Sequence, residues 1–275
     1  MKTKVILITG ASSGIGFETA LRLARQGHHV YGAARRVERM RELAKEGVTV
    51  FPMDVTDPKS IQEGVAALMT KEQRIDVLIN NAGYGSFGAV EDVSIEEARR
   101  QLEVNVFGLA QLTQAVLPAM REQKSGLIIN LSSVAGKMPF SFGTWYNVSK
   151  YAVEAFSDAL RMEVAPFGIR VVKIEPGPIA TAWGPIAADH LEESAKGKAY
   201  EQQAMNAAKG LRNLYSARWL TKPTTVSRLL TRIVNSRCPR RRYVVGLGAR
   251  SMLLFHALLP AAWYEFFATK MMSKL

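Results

Sequence analysis

Short β-branched runs alternate along the chain with longer stretches in which apolar residues recur every three or four positions. KVILIT (4–9) predicts a buried strand, and GIGFETALRLARQG (14–27) an amphipathic helix closed by Gly27. Six further strands are predicted at HVYGAA (29–34), VTVFPMD (48–54), IDVLINNAG (75–83), GLIINLSS (126–133), IRVVKIEPG (169–177) and RRYVVG (241–246). Helical periodicity fills VERMRELAKEG (37–47) and PKSIQEGVAALMTK (58–71), and a long stretch from about Ser94 to Gln123 that contains a break. It returns in YNVSKYAVEAFSDALRMEVAPFG (146–168) and TTVSRLLTRIVNS (224–236). Residues 179 to about 221 are irregular, or helical without a clear frame. This alternation predicts an α/β fold: a doubly wound parallel sheet of about seven strands, covered on both faces by helices. Without an internal repeat or a low-complexity linker, residues 1–275 read as one domain.

Composition narrows the class. A chain of 275 residues with 48% hydrophobic content can bury a full core. The lone Cys238 excludes an internal disulfide and fits a reducing compartment. His28, His29, His190 and His256 lack metal-ligand spacing, so no metal site is expected. The N-terminal MKTKVILITG runs straight into a strand with no signal-peptide pattern, which predicts a cytoplasmic protein. The apolar C-terminal stretch MLLFHALLPAAWYEFFATKMM is interrupted by His256, Pro260 and Glu265. It is expected to lie on a membrane, if it meets one, rather than cross it.

The net charge of +12 is unevenly placed. Between Gln202 and Tyr264 there is no Asp or Glu, but there are Lys209, Arg212, Arg218, Lys222, Arg228, Arg232, Arg237, Arg240, Arg241, Arg242 and Arg250. With Lys270 and Lys274 set against Glu265, the part of the chain after Glu201 holds the whole excess. No nucleic-acid motif accompanies this charge, so nucleic acid is not expected as a partner.

Chemistry-bearing residues cluster where predicted strands end. The first strand runs into TGASSGIG, with Gly10, Gly14 and Gly16 across the strand-to-helix turn and Ser12, Ser13 and Ile15 between them. Glycines there let backbone approach a pyrophosphate, which the free N–H groups and dipole of the helix then stabilise. After the second strand stand Ala34, Arg35 and Arg36. A carboxylate at this place would grip a ribose 2′-hydroxyl, whereas cations accommodate a 2′-phosphate, so NADP(H) is the expected cofactor. Tyr146 and Lys150 are four apart on a predicted helix and so share a face. A phenol near pKa 10 is a poor proton shuttle at neutral pH, and a neighbouring ammonium is expected to lower it.

Taken together, the glycine pattern, NNAG after the fourth strand, SS after the fifth, and YNVSK resemble the short-chain dehydrogenase/reductase family in its main single-domain branch. The resemblance runs from Val5 to about Thr181 and implies a Rossmann-type sheet. It also implies Asn105, Ser133, Tyr146 and Lys150 as a catalytic tetrad, with Ser133 thirteen residues before Tyr146. In that pattern Asn105 would link Lys150 to solvent through a water. The turn glycines would hold the pyrophosphate, and Asp54 and Val55 would lie near the adenine. Asn80, Asn81, Ala82 and Gly83 would support the cofactor strand, while Pro176, Gly177, Ile179 and Thr181 would hold the nicotinamide amide.

Substrate specificity in this family lies after the PG turn, here about residues 182–220. Trp183, Ile186, Leu191, Tyr200, Met205, Leu211, Leu214, Tyr215 and Trp219 either line an apolar pocket there or cover the sheet. The chain is similar to members acting on steroids, retinoids and other lipophilic alcohols and ketones, which implies a lipophilic substrate. A 3-oxoacyl thioester on coenzyme A or a carrier protein is the alternative, and a non-catalytic NADP(H) sensor a further one. The C-terminal extension, about 247–275, offers three options: contact with an anionic membrane through Arg250, Lys270 and Lys274, packing on the body, or contact with a second subunit. The family pattern implies a homodimer or homotetramer.

Overall fold

The computed structural model describes residues 2–274, with side chains as far as Ala268. Seven strands form one parallel sheet: β1 (Val5–Thr9), β2 (His29–Ala34), β3 (Thr49–Pro52), β4 (Val77–Asn80), β5 (Gly126–Leu131), β6 (Ile169–Pro176) and β7 (Arg242–Val245), in the order β3-β2-β1-β4-β5-β6-β7. The helices between them are α1 (Gly14–Ala24), α2 (Arg41–Lys45), α3 (Pro58–Glu72), α4 (Ile95–Leu102), α5 (Gly108–Glu122), α6 (Thr144–Val164), α7 (Trp183–Ala195), α8 (Glu201–Ser216) and α9 (Pro223–Asn235). A hairpin of α10 (Ala249–Leu258) and α11 (Ala261–Lys274) ends the chain.

The period-2 geometry of strands explains why near-continuous apolar runs suit this sheet. Ile6, Ile8, Ile79 and Ile129 point to one face, where they meet Leu23 of α1 and Val226 and Leu230 of α9. Leu7, Leu78 and Ile128 point to the other, against Ile61 of α3, Leu112 and Val116 of α5, and Leu160 of α6. After β3 the chain crosses to the far side of β1 and lays down β4 there. Loops at the carboxyl ends of β1 and β4 therefore diverge and leave a crevice, the usual ligand position in such sheets.

Two segments refine the sequence-based expectation. The break in the long helical stretch is a π-turn over Glu103–Phe107, between α4 and α5, with the Gly108 N–H bonded to the Glu103 carbonyl. Residues 183–216, for which the periodicity gave no frame, form the two helices α7 and α8. Their small residues Ala187, Ala188, Ala204, Ala207 and Ala208 pack against each other, which allows close helix contact without a conspicuous apolar stripe. Among the described residues no helix is long and apolar enough to cross a membrane.

A buried ionic cluster ties α6 to β6. Lys173 Nζ lies 2.7 Å from Glu154 Oε2 and donates to Asp158 Oδ2 at 2.7 Å, while Lys137 approaches Glu154 at 3.2 Å. Deleting Lys173 would leave the Glu154 carboxylate buried without its nearest countercharge, and desolvation makes such a loss costly. Lys173→Ala is expected to lower unfolding stability by about 3 kcal/mol in urea titration. A change within about 0.5 kcal/mol, the range of ordinary surface substitutions, would show that the cluster does not constrain the fold.

Candidate active site

The turn after β1 is built on close backbone approach. Gly10 (φ +65°) and Gly14 (φ +55°) occupy the left-handed region that favours glycine. A Cβ on Gly16 would stand 2.4 Å from the Gly10 carbonyl oxygen, so only glycine lets α1 start this near β1. Asn81 locks the arrangement from β4, its Nδ2 donating to the carbonyls of Thr9 (3.0 Å) and Gly10 (3.3 Å). The Asn81 and Ala82 N–H groups donate to Thr9 Oγ1 at 3.1 and 3.0 Å. Ser13 makes no side-chain cap on α1, and the first turn carries no carboxylate. That end of α1 fits an anionic diphosphate, having free backbone donors and no Cβ in the way.

From this turn a cavity of about 1450 Å³ runs across the carboxyl ends of the strands. Ser12, Ser13, Ile15, Arg35, Arg36, Asp54, Val55, Ala82, Gly83, Ser133, Tyr146, Lys150, Pro176, Gly177, Ile179 and Thr181 all line it, as do Gly10, Gly14 and Asn81. Arg35 and Arg36 are exposed at the end of β2. Three residues of the expected set stand behind the wall instead. Gly16 buttresses the turn, and Asn105 is buried beneath the loop after β4. Asn80 is likewise not on the cleft: its amide donates to Asn130 Oδ1 (2.9 Å) and Thr113 Oγ1 (3.2 Å), and Asn130 donates on to Ser157 Oγ (2.8 Å). This buried amide ladder joins β4, β5 and the helices beneath them.

Tyr146, Lys150 and Ser133 converge on the middle of the cavity and are all buried. Lys150 Nζ donates to the Leu131 carbonyl at 2.8 Å and lies 5.8 Å from the Tyr146 ring centroid. Ser133 Oγ accepts from the Ala135 N–H at 3.1 Å and donates to the Pro176 carbonyl at 3.4 Å, which ties the end of β5 to the end of β6. The electrostatics differ from the sequence-based expectation. Burial pushes the Tyr146 phenol up to about 12, with the Ser133 hydrogen bond pulling the other way. Burial lowers the Lys150 ammonium to about 8, opposed by the Glu154 carboxylate one turn along α6. Desolvation thus outweighs any depression of the phenol by Lys150.

Asn105 sits on the π-turn, buried beneath the loop after β4. Its Oδ1 accepts from the Tyr84 N–H (3.0 Å), and its Nδ2 donates to the Tyr84 carbonyl (2.9 Å) and Ser149 Oγ (3.1 Å). The amide is committed to holding the loop after β4 against α6, and no bond of its side chain is directed at Lys150.

Aromatic rings wall the far half of the cavity. Trp183 packs 4.9 Å from the Tyr146 ring centroid and 5.5 Å from Phe87, with Phe140 5.5 Å from Phe87 on the other side. Ile186, Leu191, Leu211, Leu214 and Tyr215 also line it, while Tyr200, Met205 and Trp219 lie on the surface. Burial pushes the Tyr215 phenol up, reinforced by the nearby Tyr146 phenol. Sequence reasoning missed the wall residues Phe87, Phe140, Met252, Phe255, Tyr264 and Phe267. Phe87 lies four residues past NNAG and was the one that position could have suggested. The others arrive through tertiary packing alone.

The lowered Lys150 pKa has a testable consequence. The folded protein sheds this proton near pH 8, whereas the unfolded chain keeps it until about 10.5. Unfolded chains therefore bind more protons between those values, and stability rises with pH across that window. Between pH 7.5 and pH 10, wild type is expected to gain unfolding stability relative to Lys150→Met. A constant difference would mean that Lys150 is not desolvated in the fold.

Comparison with known proteins agrees with this architecture. Residues 4–190 match the short chain dehydrogenase family profile. The chain is 37% identical over 259 residues to a probable short-chain type dehydrogenase/reductase, VdlC, of Helicobacter pylori, covering 94% of each. It is 43% identical over 183 residues to the 3-ketodihydrosphingosine reductase of Bacteroides thetaiotaomicron, covering 66% of each. A short-chain dehydrogenase from Streptomyces avermitilis superposes with a TM-score of 0.80 at 34% identity, over 94% of this chain and 93% of that one. Serine dehydrogenase complexed with NADP+ is 28% identical with a TM-score of 0.74, over 88% and 94%. A Burkholderia phymatum enzyme of the same fold, 23% identical with a TM-score of 0.78 over 93% and 92%, is in complex with NAD. With its seven-stranded sheet and a family match over more than half its length, the chain belongs to the short-chain dehydrogenase/reductase family of oxidoreductases.

Proposed function

We propose that the protein is an NADP(H)-dependent carbonyl reductase, reversible as an alcohol dehydrogenase, acting on a lipophilic ketone or aldehyde. The observation that carries this reading is the position of Tyr146. Its buried phenol stands at the junction between the glycine-turn crevice and a cavity half walled by aromatic rings. Arg35 and Arg36 at the end of β2, with no carboxylate there, support a 2′-phosphate and hence NADP(H). The apolar lining supports a substrate with a large hydrophobic body. The likeness to a 3-ketodihydrosphingosine reductase, a protein whose name specifies a long-chain ketone, points the same way.

The bound nicotinamide would supply the hydride in reduction and accept it in oxidation. The chain's own groups handle the oxygen. Tyr146 remains protonated at neutral pH and can donate its proton as negative charge develops on the carbonyl oxygen. Ser133 Oγ, held between the Ala135 N–H and the Pro176 carbonyl, can turn its proton toward the same oxygen. Lys150 places an ammonium beneath the phenol and favours the tyrosinate left after transfer. Asn105 positions the loop carrying Gly83 and Tyr84, and Trp183 and Phe87 exclude water around the reacting centre. An acyl-thioester reading would call on basic side chains beside the pocket. Arg212 on α8 is instead paired with Asp189 at 2.6 Å and with Glu192.

Two substitutions test the assignment. Tyr146→Phe is expected to cut NADPH-dependent turnover by about 10²–10⁴-fold while NADPH binding, read by fluorescence titration, persists. Retained turnover would remove Tyr146 as proton donor. Arg35→Ala is expected to weaken NADPH about tenfold, the loss of one charge-assisted hydrogen bond, and to leave NADH nearly unchanged. Equal losses for both cofactors would show that Arg35 does not read the 2′-phosphate.

A further inference from the structure

The C-terminal hairpin has two faces. Its inner face closes the far end of the cavity, which Met252, Phe255, Tyr264 and Phe267 line. The Tyr264 hydroxyl donates to the Pro139 carbonyl and fastens α11 to the loop ahead of α6, while His256 packs edge-on against its ring at 4.5 Å. The outer face is apolar and open: Leu254, Leu258 and Trp263 are 61%, 73% and 60% exposed. The open apolar surface continues past the start of α10. Leu247 is exposed there, and its N–H donates to Thr221 Oγ1 at 2.8 Å, two residues after the exposed Trp219. Single exposed apolar residues are ordinary, but three large ones on one short hairpin, with Leu247 just ahead of it, are not.

We propose that this face docks on the surface of an anionic phospholipid bilayer, with α10 and α11 lying in the headgroup region and the cavity opening toward the lipid. Charge complementarity selects this occupant. Arg218, Lys222 and Arg250 are exposed around the apolar group, and no acidic residue occurs from Gln202 to Tyr264. A second copy of the chain docking by the same patch would set these three cations against their own images, with the exposed Glu265 on α11 the one carboxylate between Gln202 and Ala268 to receive them. An anionic leaflet supplies the missing countercharge over the whole patch. Helices of 10 and 14 residues are too short to span a bilayer, yet they suit an interfacial position, with tryptophans at the depth where they partition best. Phe255 and Phe267, in edge contact at 6.0 Å, are exposed outside and line the cavity inside. They would form the threshold between lipid and pocket. Docking stands apart from the chemistry proposed above; only the use of that threshold for a lipophilic substrate rests on that reading.

Vesicle flotation of the full chain tests the surface directly. The protein is expected to float with phosphatidylcholine vesicles containing about 30% phosphatidylglycerol, far less with phosphatidylcholine alone, and to be released by high salt. Leu258→Glu/Trp263→Glu, at two positions that do not themselves line the cavity, is expected to weaken flotation about tenfold or more. Arg250→Glu is expected to weaken it for anionic vesicles only. Circular dichroism and NADPH titration establish that each variant is folded. Three results would overturn the proposal: no flotation of the wild type, equal flotation of the variants, or a solution dimer that Leu258→Glu/Trp263→Glu splits. NADPH-dependent turnover of a hydrophobic aromatic ketone, offered in solution without vesicles, is read in parallel. Flotation without turnover refutes the carbonyl-reductase reading and leaves docking intact, whereas turnover without flotation does the reverse.

Discussion

The contact on which the rest of the site depends is the approach of α1 to β1, where the Gly16 backbone sits against the Gly10 carbonyl and the Asn81 amide, just past β4, donates to the carbonyls of Thr9 and Gly10. The turn from β1 to α1 meets a residue 71 positions beyond Gly10 there, at the point where the sheet changes its direction of growth. Because the backbones are so close, the N-terminal N–H groups of α1 point into the crevice rather than into a side chain. The same close approach sets the height of the loop after β4, and so the position of Gly83 and Tyr84, which Asn105 then grips from the π-turn. Cofactor crevice and reacting centre are consequently held by one continuous set of backbone contacts.

Burial governs the chemistry of that centre. Tyr146 and Lys150 share a helix face, but their mutual electrostatics are weaker than the cost of removing each from water. The phenol is held protonated and the ammonium is brought toward neutrality, with Glu154 resisting that second shift from one turn further along α6. Glu154 in turn rests on Lys173 and Lys137. A chain of alternating charges therefore extends from the reacting centre through α6 to β6, with Glu154 and Lys173 buried where water screens them little and Asp158 at the surface.

The last quarter of the chain has a different logic. Its basic residues do not gather around the reacting centre. Arg242 closes on the buried Glu175, Arg212 is bound by α7 carboxylates, and Arg218, Lys222 and Arg250 face outward. What the segment adds to the cavity is apolar, through α8 and the hairpin. The side chains of Lys270 and Lys274 lie outside the described residues.

Much of this protein was legible in its sequence, because the deciding interactions there are local or periodic. Strand–helix alternation follows from side-chain period, and the parallel sheet from runs that are apolar on both faces. The glycine turn is readable because only glycine fits φ values above zero and the missing Cβ at Gly16. Tyr146 and Lys150 are readable because a helix places i and i+4 together. Other features required the tertiary structure. The bonding of Asn105 and Asn80 is one, because both are held by partners 21 and 50 residues away. The frame of α7 and α8 was hidden because alanine-on-alanine packing leaves little hydrophobic contrast to read. The cavity's outer wall joins Phe87, Phe140, Trp183 and Phe267, residues that share no period and meet only when the sheet, α7 and the hairpin are assembled. The sequence thus determined the elements and the reacting groups through short-range geometry. The pKa order and the shape of the pocket were decided by burial, which depends on contacts between segments distant in the chain.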